Sequence, residues 1–354
     1  MDDHRLEIWT NGAGLPRTFV ARAQQAEAAG FDGVTIVDSQ NLSGDCYVAL
    51  GLAAHATERI RLGTGVTNPF TRHPAVTACA IATVHAESGG RAVLGIGRGD
   101  SALAHLGYAP APIALFERYL EQLQGYLRGE EVPFGPDANV GSLGLAVVPT
   151  ASRIEWIRPG RYPKVVVDVA ATGPRVIRLA ARLADSVTFA VGADLARLRW
   201  ALATARKARA DAGLDPDGIA YGAYVNVVAH DDPDVARILG EGGLSLFARF
   251  SAMYGSATGP ASAVEKQVAE AVHDAYDMTR HNRAGSAQAA QLTPEFAHEY
   301  GIFGPTKYCV ERLQEIVALG LQRLVIVGPT REANPAEASM AESRFAEEVM
   351  PELR

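Results

Sequence analysis

The chain alternates two kinds of apolar pattern. Short, continuous, β-branched runs at 5–10, 33–38, 59–68, 91–97, 163–171, 186–191, 218–229 and 321–328 read as strands. Between them lie longer stretches whose apolar residues recur every three to four positions, the spacing of a helix with one buried face. These helices are expected at 15–30, 44–57, 73–90, 114–129, 173–185, 193–213, 306–320 and 335–353. The punctuation agrees: Gly30 and Gly129 close helices, Pro74 sits in a first turn, and Asp45 stands where a cap belongs. A further helical stretch, 232–255, is expected to break at Gly242-Gly243.

Two segments interrupt the rhythm. Residues 130–163 hold five prolines and little periodicity, so they read as an insertion with short strands of its own, "SRIEWI" (152–157) being the foremost candidate. Residues 256–302 read as a second, polar insertion with some helical stretches. Strands without polar alternation suit a parallel sheet covered on both faces. Eight of them, each followed by a helix, is the count of a (β/α)8 TIM barrel, here one domain over residues 1–354 with two insertions. An open doubly wound sheet is the rival. In a barrel the reactive surface lies at the C-terminal strand ends.

Composition narrows the class. A net charge of −7 argues against a nucleic-acid partner. Cys46, Cys79 and Cys309 form no paired motif, which suits a reducing compartment. No apolar run has the length of a membrane span, and "MDDHRLEIWT" has no apolar leader core. A cytoplasmic protein acting on a small molecule is the expectation.

The strand ends carry the candidate chemistry. The second ends in Asp38, Ser39, Gln40 and Asn41; the third in Gly65, Val66, Thr67 and Asn68; the fourth in Gly97, Arg98, Gly99 and Asp100. The fifth ends in Thr172 and Gly173, ahead of a helix with Pro174 in its first turn. Free N–H groups and the positive end of the helix dipole would face the mouth there, which is either an anion site or an ordinary cap. "GIGRGD" is a poor dinucleotide fingerprint, since it lacks the last glycine and Asp100 would repel a pyrophosphate. Asp100 reads as a proton-handling group beside a flat ligand, or as a cap on the next helix. Arg72 and His73 either face the mouth or flank a helix, and His85 reads as structural. The His spacing gives no metal motif.

With these residues in view, "LGTGVTNPFTRHPAVTACAIATVHAESGGRAVLGIGRGD" resembles the bacterial luciferase-like superfamily of flavin and deazaflavin oxidoreductases. Within it, the stretch looks most like methylenetetrahydromethanopterin reductases and, more loosely, the glucose-6-phosphate dehydrogenases that use coenzyme F420. The likeness covers residues 5–130 and 163–229 and fades in both insertions. It implies a barrel with a flavin-like ring in the mouth, a cis peptide at Gly65-Val66 against the ring, and Asp38 at the ring's pyrimidine side. It implies Arg98 and Gly99 beside the ring or its ribityl chain, Asp100 as an acidic active-site residue, and Thr172, Gly173 and Pro174 around the phosphate. Ser39 departs from the pattern, because many deazaflavin members carry a His there.

Three functions follow. The first is hydride transfer between coenzyme F420 and a small organic substrate recognised by the insertions. The second is an FMN-dependent monooxygenase in which reduced FMN activates oxygen. The third is a non-catalytic flavin binder. The stretches "DCYVALGLAAHAT" and "AVTACAIATV", nearly free of charge, suggest a homodimer packed through these helices, the alternative being burial against the chain's own barrel.

Overall fold

Each of the eight barrel strands finds a parallel neighbour on both edges. The computed structural model describes residues 5–12, 14–158, 160, 163–330 and 332–354. Its barrel strands are β1 (Glu7–Gly12), β2 (Gly33–Ile36), β3 (Arg61–Thr64), β4 (Ala92–Ile96), β5 (Val166–Ala171), β6 (Ser186–Phe189), β7 (Ala220–Ala229) and β8 (Arg323–Val327). Each pairs with the next, for example Gly33 with Arg61 and Val93 with Val166. β8 pairs back to β1 through Glu7 and Arg323, which closes the cylinder and excludes the open sheet. The fold is a (β/α)8 barrel.

The strands read as unbroken apolar runs because they are buried on both sides. One layer, including Ile8, Val34, Leu62, Leu94, Val167 and Leu324, packs outward on the helices. A smaller inner cluster holds Trp9, Val93, Tyr224 and Val325. The N-terminal end of the bore is closed by charge. Glu7 pairs with Arg61 and Arg323, both at 3.1 Å, and Arg323 lies 3.8 Å from Asp168. Asp168 also accepts hydrogen bonds from Ser186 at 2.6 Å and Thr188 at 2.8 Å.

The expected helices form within a few residues of their predicted ends, and Asp45 caps Cys46–Ala56 by accepting from the N–H groups of Tyr47 and Val48. Two expectations are corrected. The helix Pro233–Ser251 runs unbroken through Gly242-Gly243. Those glycines are there for space: a Cβ on Gly242 would lie 2.3 Å from Thr330 Cγ2, and one on Gly243 2.7 Å from Asn226 Nδ2. Close packing on the barrel outweighs the modest cost of glycine in a helix. In the first insertion the paired strands are Val132–Pro133 and Ala151–Ser152, while 153–157 is not strand.

The second insertion contributes helices Ala263–Asp274 and Pro294–Tyr300, and a short strand, Ile302–Gly304, parallel to the end of β7. Fully buried Arg197 stitches it down, donating to the Pro260 carbonyl at 2.9 Å and to Ser251 Oγ at 3.1 Å. No described helix is long and apolar enough to cross a membrane.

Candidate active site

The C-terminal strand ends open into one cavity of about 580 Å³. Its walls include Ser39, Gly65, Val66, Asn68, Arg98, Gly99, Asp100, Thr172, Gly173 and Pro174. Ten of the residues singled out by sequence therefore meet there. Asp38 and Thr67 do not line it.

Asp38 is the first correction. Rather than facing a ligand it is buried, 2 % exposed, and its two oxygens are already engaged. Gln40 Nε2, Thr67 Oγ1 and Arg72 Nη1 each donate to it at 2.6 Å. Arg72 bridges onward to Asp45 at 2.8 Å and lies over the Tyr47 ring at 4.7 Å. Burial works against the Arg72 charge, but Asp38, Asp45 and the other neighbouring acidic groups together outweigh it and hold the guanidinium more firmly protonated than usual. The network fixes the β2 and β3 ends from behind. Arg72 thus belongs to the scaffold, and His73 is a cap whose Nδ1 accepts from the Ala75 N–H at 3.2 Å. His85 is structural, its Nε2 lying 3.0 Å from the Pro163 carbonyl.

Held that way, the third strand presents backbone and one amide. The Gly65-Val66 peptide is cis, as the resemblance implies. A Cβ on Gly65 would lie 2.6 Å from Thr35 Oγ1, so only glycine fits. Asn68 is 1 % exposed, and its Oδ1 accepts from the N–H groups of Phe70 (3.0 Å) and Thr71 (3.1 Å). That fixes the amide's orientation. Among the described residues its Nδ2 has no partner, so a buried donor sits in the wall where a ligand acceptor would satisfy it.

The fourth strand end turns at Gly99, whose φ of +83° calls for glycine. Arg98 Nε donates to the Ala111 carbonyl at 2.5 Å and Nη2 to Tyr254 Oη at 3.0 Å. Asp100 stands at the N-cap position of Ser101–Ala104, but its side chain makes no capping hydrogen bond. Its carboxylate pairs with Arg249 of the long helix, a side chain 7 % exposed whose guanidinium lies 4.5 Å from the Tyr276 ring centre. Tyr276 Oη is 2.9 Å from His281 Nδ1. Burial pushes the Tyr276 hydroxyl above its ordinary pKa, leaving it a neutral hydrogen-bonding group at physiological pH.

At the fifth strand end, Thr172 Oγ1 donates to the Ala190 carbonyl at 3.2 Å rather than capping the helix. Gly173 is the N-cap of Pro174–Leu183, without a side-chain cap. The first-turn residues Arg175 and Val176 line the cavity. Amides and helix dipole there suit an anion.

The sequence reading missed the roof. Leu246, Phe247 and Phe250 from the long helix, Met253 and Tyr254 from the turn after it, and Met278 and His281 from the second insertion line the cavity. The run 246, 250, 253 has helical spacing, which is the one signal that marked it. Among the described residues, no three His, Cys, Asp or Glu side chains are grouped to hold a metal.

The chain and its fold have known counterparts. The family model for luciferase-like monooxygenases matches residues 4–323. The chain belongs to that family. Among curated relatives it is 31% identical over 359 residues to an F420-dependent glucose-6-phosphate dehydrogenase of Beutenbergia cavernae, covering 96% of this chain and 94% of the relative. It is 28% identical over 321 residues to a 5,10-methylenetetrahydromethanopterin reductase of Methanolobus tindarius, covering 88% and 90%. Of solved structures, the coenzyme F420-dependent tetrahydromethanopterin reductase of Methanopyrus kandleri superposes with TM-score 0.73 at 22% identity, covering 99% and 100%. A monooxygenase of Streptomyces bottropensis gives 0.67 at 19%, covering 99% and 100%. These structures share the fold. As a luciferase-like family member, the protein is an enzyme, an F420- or flavin-dependent oxidoreductase.

Proposed function

We propose that the protein transfers hydride between coenzyme F420 and a small organic substrate. One observation carries the reading: a backbone shelf, an unpartnered buried amide and an uncapped helix terminus open on the same cavity. These suit, in turn, a flat ring, a ring carbonyl and a phosphate. Full-length similarity to a relative named as F420-dependent supports it over FMN. The bound coenzyme supplies a ring carbon that accepts or donates hydride.

The chain's own residues do the rest. Gly65-Val66 would back the ring, Ser39 and Asn68 would border it, and Arg98 and Gly99 would flank its side chain. The amides after Gly173 hold the phosphate. Asp100 accepts the proton of a substrate hydroxyl and returns it in the reverse direction, oriented by Arg249. The family model and the monooxygenase structures support the other reading, oxygen activation with reduced FMN. Helices Cys46–Ala56 and Pro74–Glu87 expose Val48, Leu52 and Val76, which supports pairing of two copies there.

Anaerobic turnover tests the reading. Alcohol-dependent bleaching of the deazaflavin, lowered about 10²–10⁴-fold by Asp100→Asn with coenzyme affinity intact, is expected. Turnover that needs oxygen and FMN would overturn it.

A further inference from the structure

The large apolar side chains around the cavity gather on one side. The barrel side carries Arg98 on the β4 end and Arg175 on the first turn after β5. The insertion side is built by the last two turns of Pro233–Ser251 and the residues just beyond. Leu246 and Phe250 lie one turn apart, with Met253 the next step along the same face, and Phe247 and Tyr254 sit one residue over. Met278 extends this wall from the second insertion, with the polar side chains of Thr279, His281 and Asn282 at its rim. The rings are fixed against one another: Phe247 and Phe250 meet edge to face at 5.6 Å, and Phe247 packs on Tyr224 at 5.9 Å.

The ionic groups of the insertion side have protein partners. Arg249 pairs with Asp100, and Arg283, the insertion's own cation in the wall, pairs with Glu332. Arg98 is committed twice, to the Ala111 carbonyl and to Tyr254 Oη. A phosphorylated or carboxylated substrate lying under the aromatic wall would have to break one of these pairs, compete for Arg175 with the coenzyme phosphate proposed at the same helix terminus, or stay unpaired. Leaving a charge buried without a partner costs far more than such a wall returns. A neutral apolar body pays no such penalty and gains by burial, about 25 cal/mol for each Å² taken from water.

We infer that the insertion builds a substrate chamber for a neutral compound with a bulky apolar body, a secondary alcohol or its ketone, and not for a sugar phosphate. The inference rests on the proposed hydride transfer for the choice of alcohol and ketone, and on the wall alone for the apolar, uncharged body. It separates this chain from the glucose-6-phosphate dehydrogenase it resembles over nearly its whole length. In the oxidation the substrate C–H leaves as hydride to the oxidised deazaflavin and the O–H proton leaves to Asp100, so a ketone and the reduced coenzyme are formed.

Calorimetry on the full chain, with and without coenzyme F420, tests it using acetophenone, 2-decanone, glucose 6-phosphate and gluconate as probes. At least one neutral ketone should bind and neither anion should. Phe250→Ala should weaken the ketone by about tenfold or more, with coenzyme affinity unchanged. Met253→Ala, a milder truncation on the same face, provides the same reading if Phe250→Ala fails to fold. Binding of glucose 6-phosphate in preference to both ketones, or of no ketone, overturns the inference. If ketones bind and the variants weaken them, yet neither coenzyme F420 nor FMN supports turnover, the chamber stands and the hydride-transfer reading falls. If glucose 6-phosphate reduces coenzyme F420 and ketones do not bind, the reverse holds.

Discussion

Gly173→Asp separates cofactor binding from folding more cleanly than any other substitution in the mouth. Gly173 is the N-cap of Pro174–Leu183, with φ −88° and ψ 155°, a conformation open to any residue. A Cβ built there meets nothing within 4 Å, so the change adds no clash. Aspartate is a good N-cap and its charge complements the helix dipole, so the fold should hold or gain a few tenths of a kcal/mol. The same carboxylate would occupy the first-turn amides and face the phosphate. One unit charge at about 5 Å costs about 3 kcal/mol at an effective dielectric of about 20, and about 1 kcal/mol if the mouth screens like water. Affinity for coenzyme F420 should therefore fall about 5- to 150-fold. Gly173→Asn, which caps without charge, should lose less. The assay is titration followed by the coenzyme's own fluorescence, with thermal melting beside it. Unchanged affinity in a folded Gly173→Asp protein would refute the placement of the phosphate, and equal losses in the Asp and Asn variants would refute the electrostatic argument.

Other outcomes follow from the scaffold. Asp168→Ala removes the buried partner of Arg323, Ser186 and Thr188 and should cost about 3 kcal/mol in urea unfolding. Little change would mean the network at the foot of the barrel is not needed for stability. Burial raises the Glu27 pKa, but the N–H groups of Glu58, Arg59 and Ile60 outweigh it and lower the carboxyl below its ordinary 4.5. The folded state then binds that proton less readily than the unfolded chain. Its contribution is complete above about pH 4.5 and is lost as pH falls through the folded value, so Glu27→Gln should flatten the acid limb of stability against pH. Leu52, 60% exposed on Cys46–Ala56, should be covered in a dimer, and Leu52→Arg should give monomers by light scattering. A wild-type protein that is already monomeric at all concentrations would remove that expectation.

The barrel was legible because strands buried on both faces leave unbroken apolar runs, and because caps such as Asp45 act locally. Strand ends were less so. The runs at 33–38 and 59–68 extend beyond β2 and β3, which stop at Ile36 and Thr64, because the residues beyond them turn out of the ladder to form the mouth. Asp38 was chosen for a ligand and proved a scaffold group, since its partner Arg72 lies 34 residues away and no local pattern announces such a pair. The Asp100–Arg249 pair spans 149 residues and was invisible for the same reason. Gly242-Gly243 misled because a helix-breaking signal is local while the close approach of Thr330 and Asn226 is tertiary. The residues that line the mouth from the strand ends, Gly65 to Pro174, were found because small and polar groups have no packing reason to end a buried strand.

The central claim is that this mouth holds a deazaflavin. Side-by-side equilibrium titration of the purified protein with coenzyme F420 and with FMN tests it most directly. Saturable binding of coenzyme F420, with a shift in its absorbance and an affinity above that for FMN, is the expected result. Tighter binding of FMN, or no binding of coenzyme F420, would contradict the account.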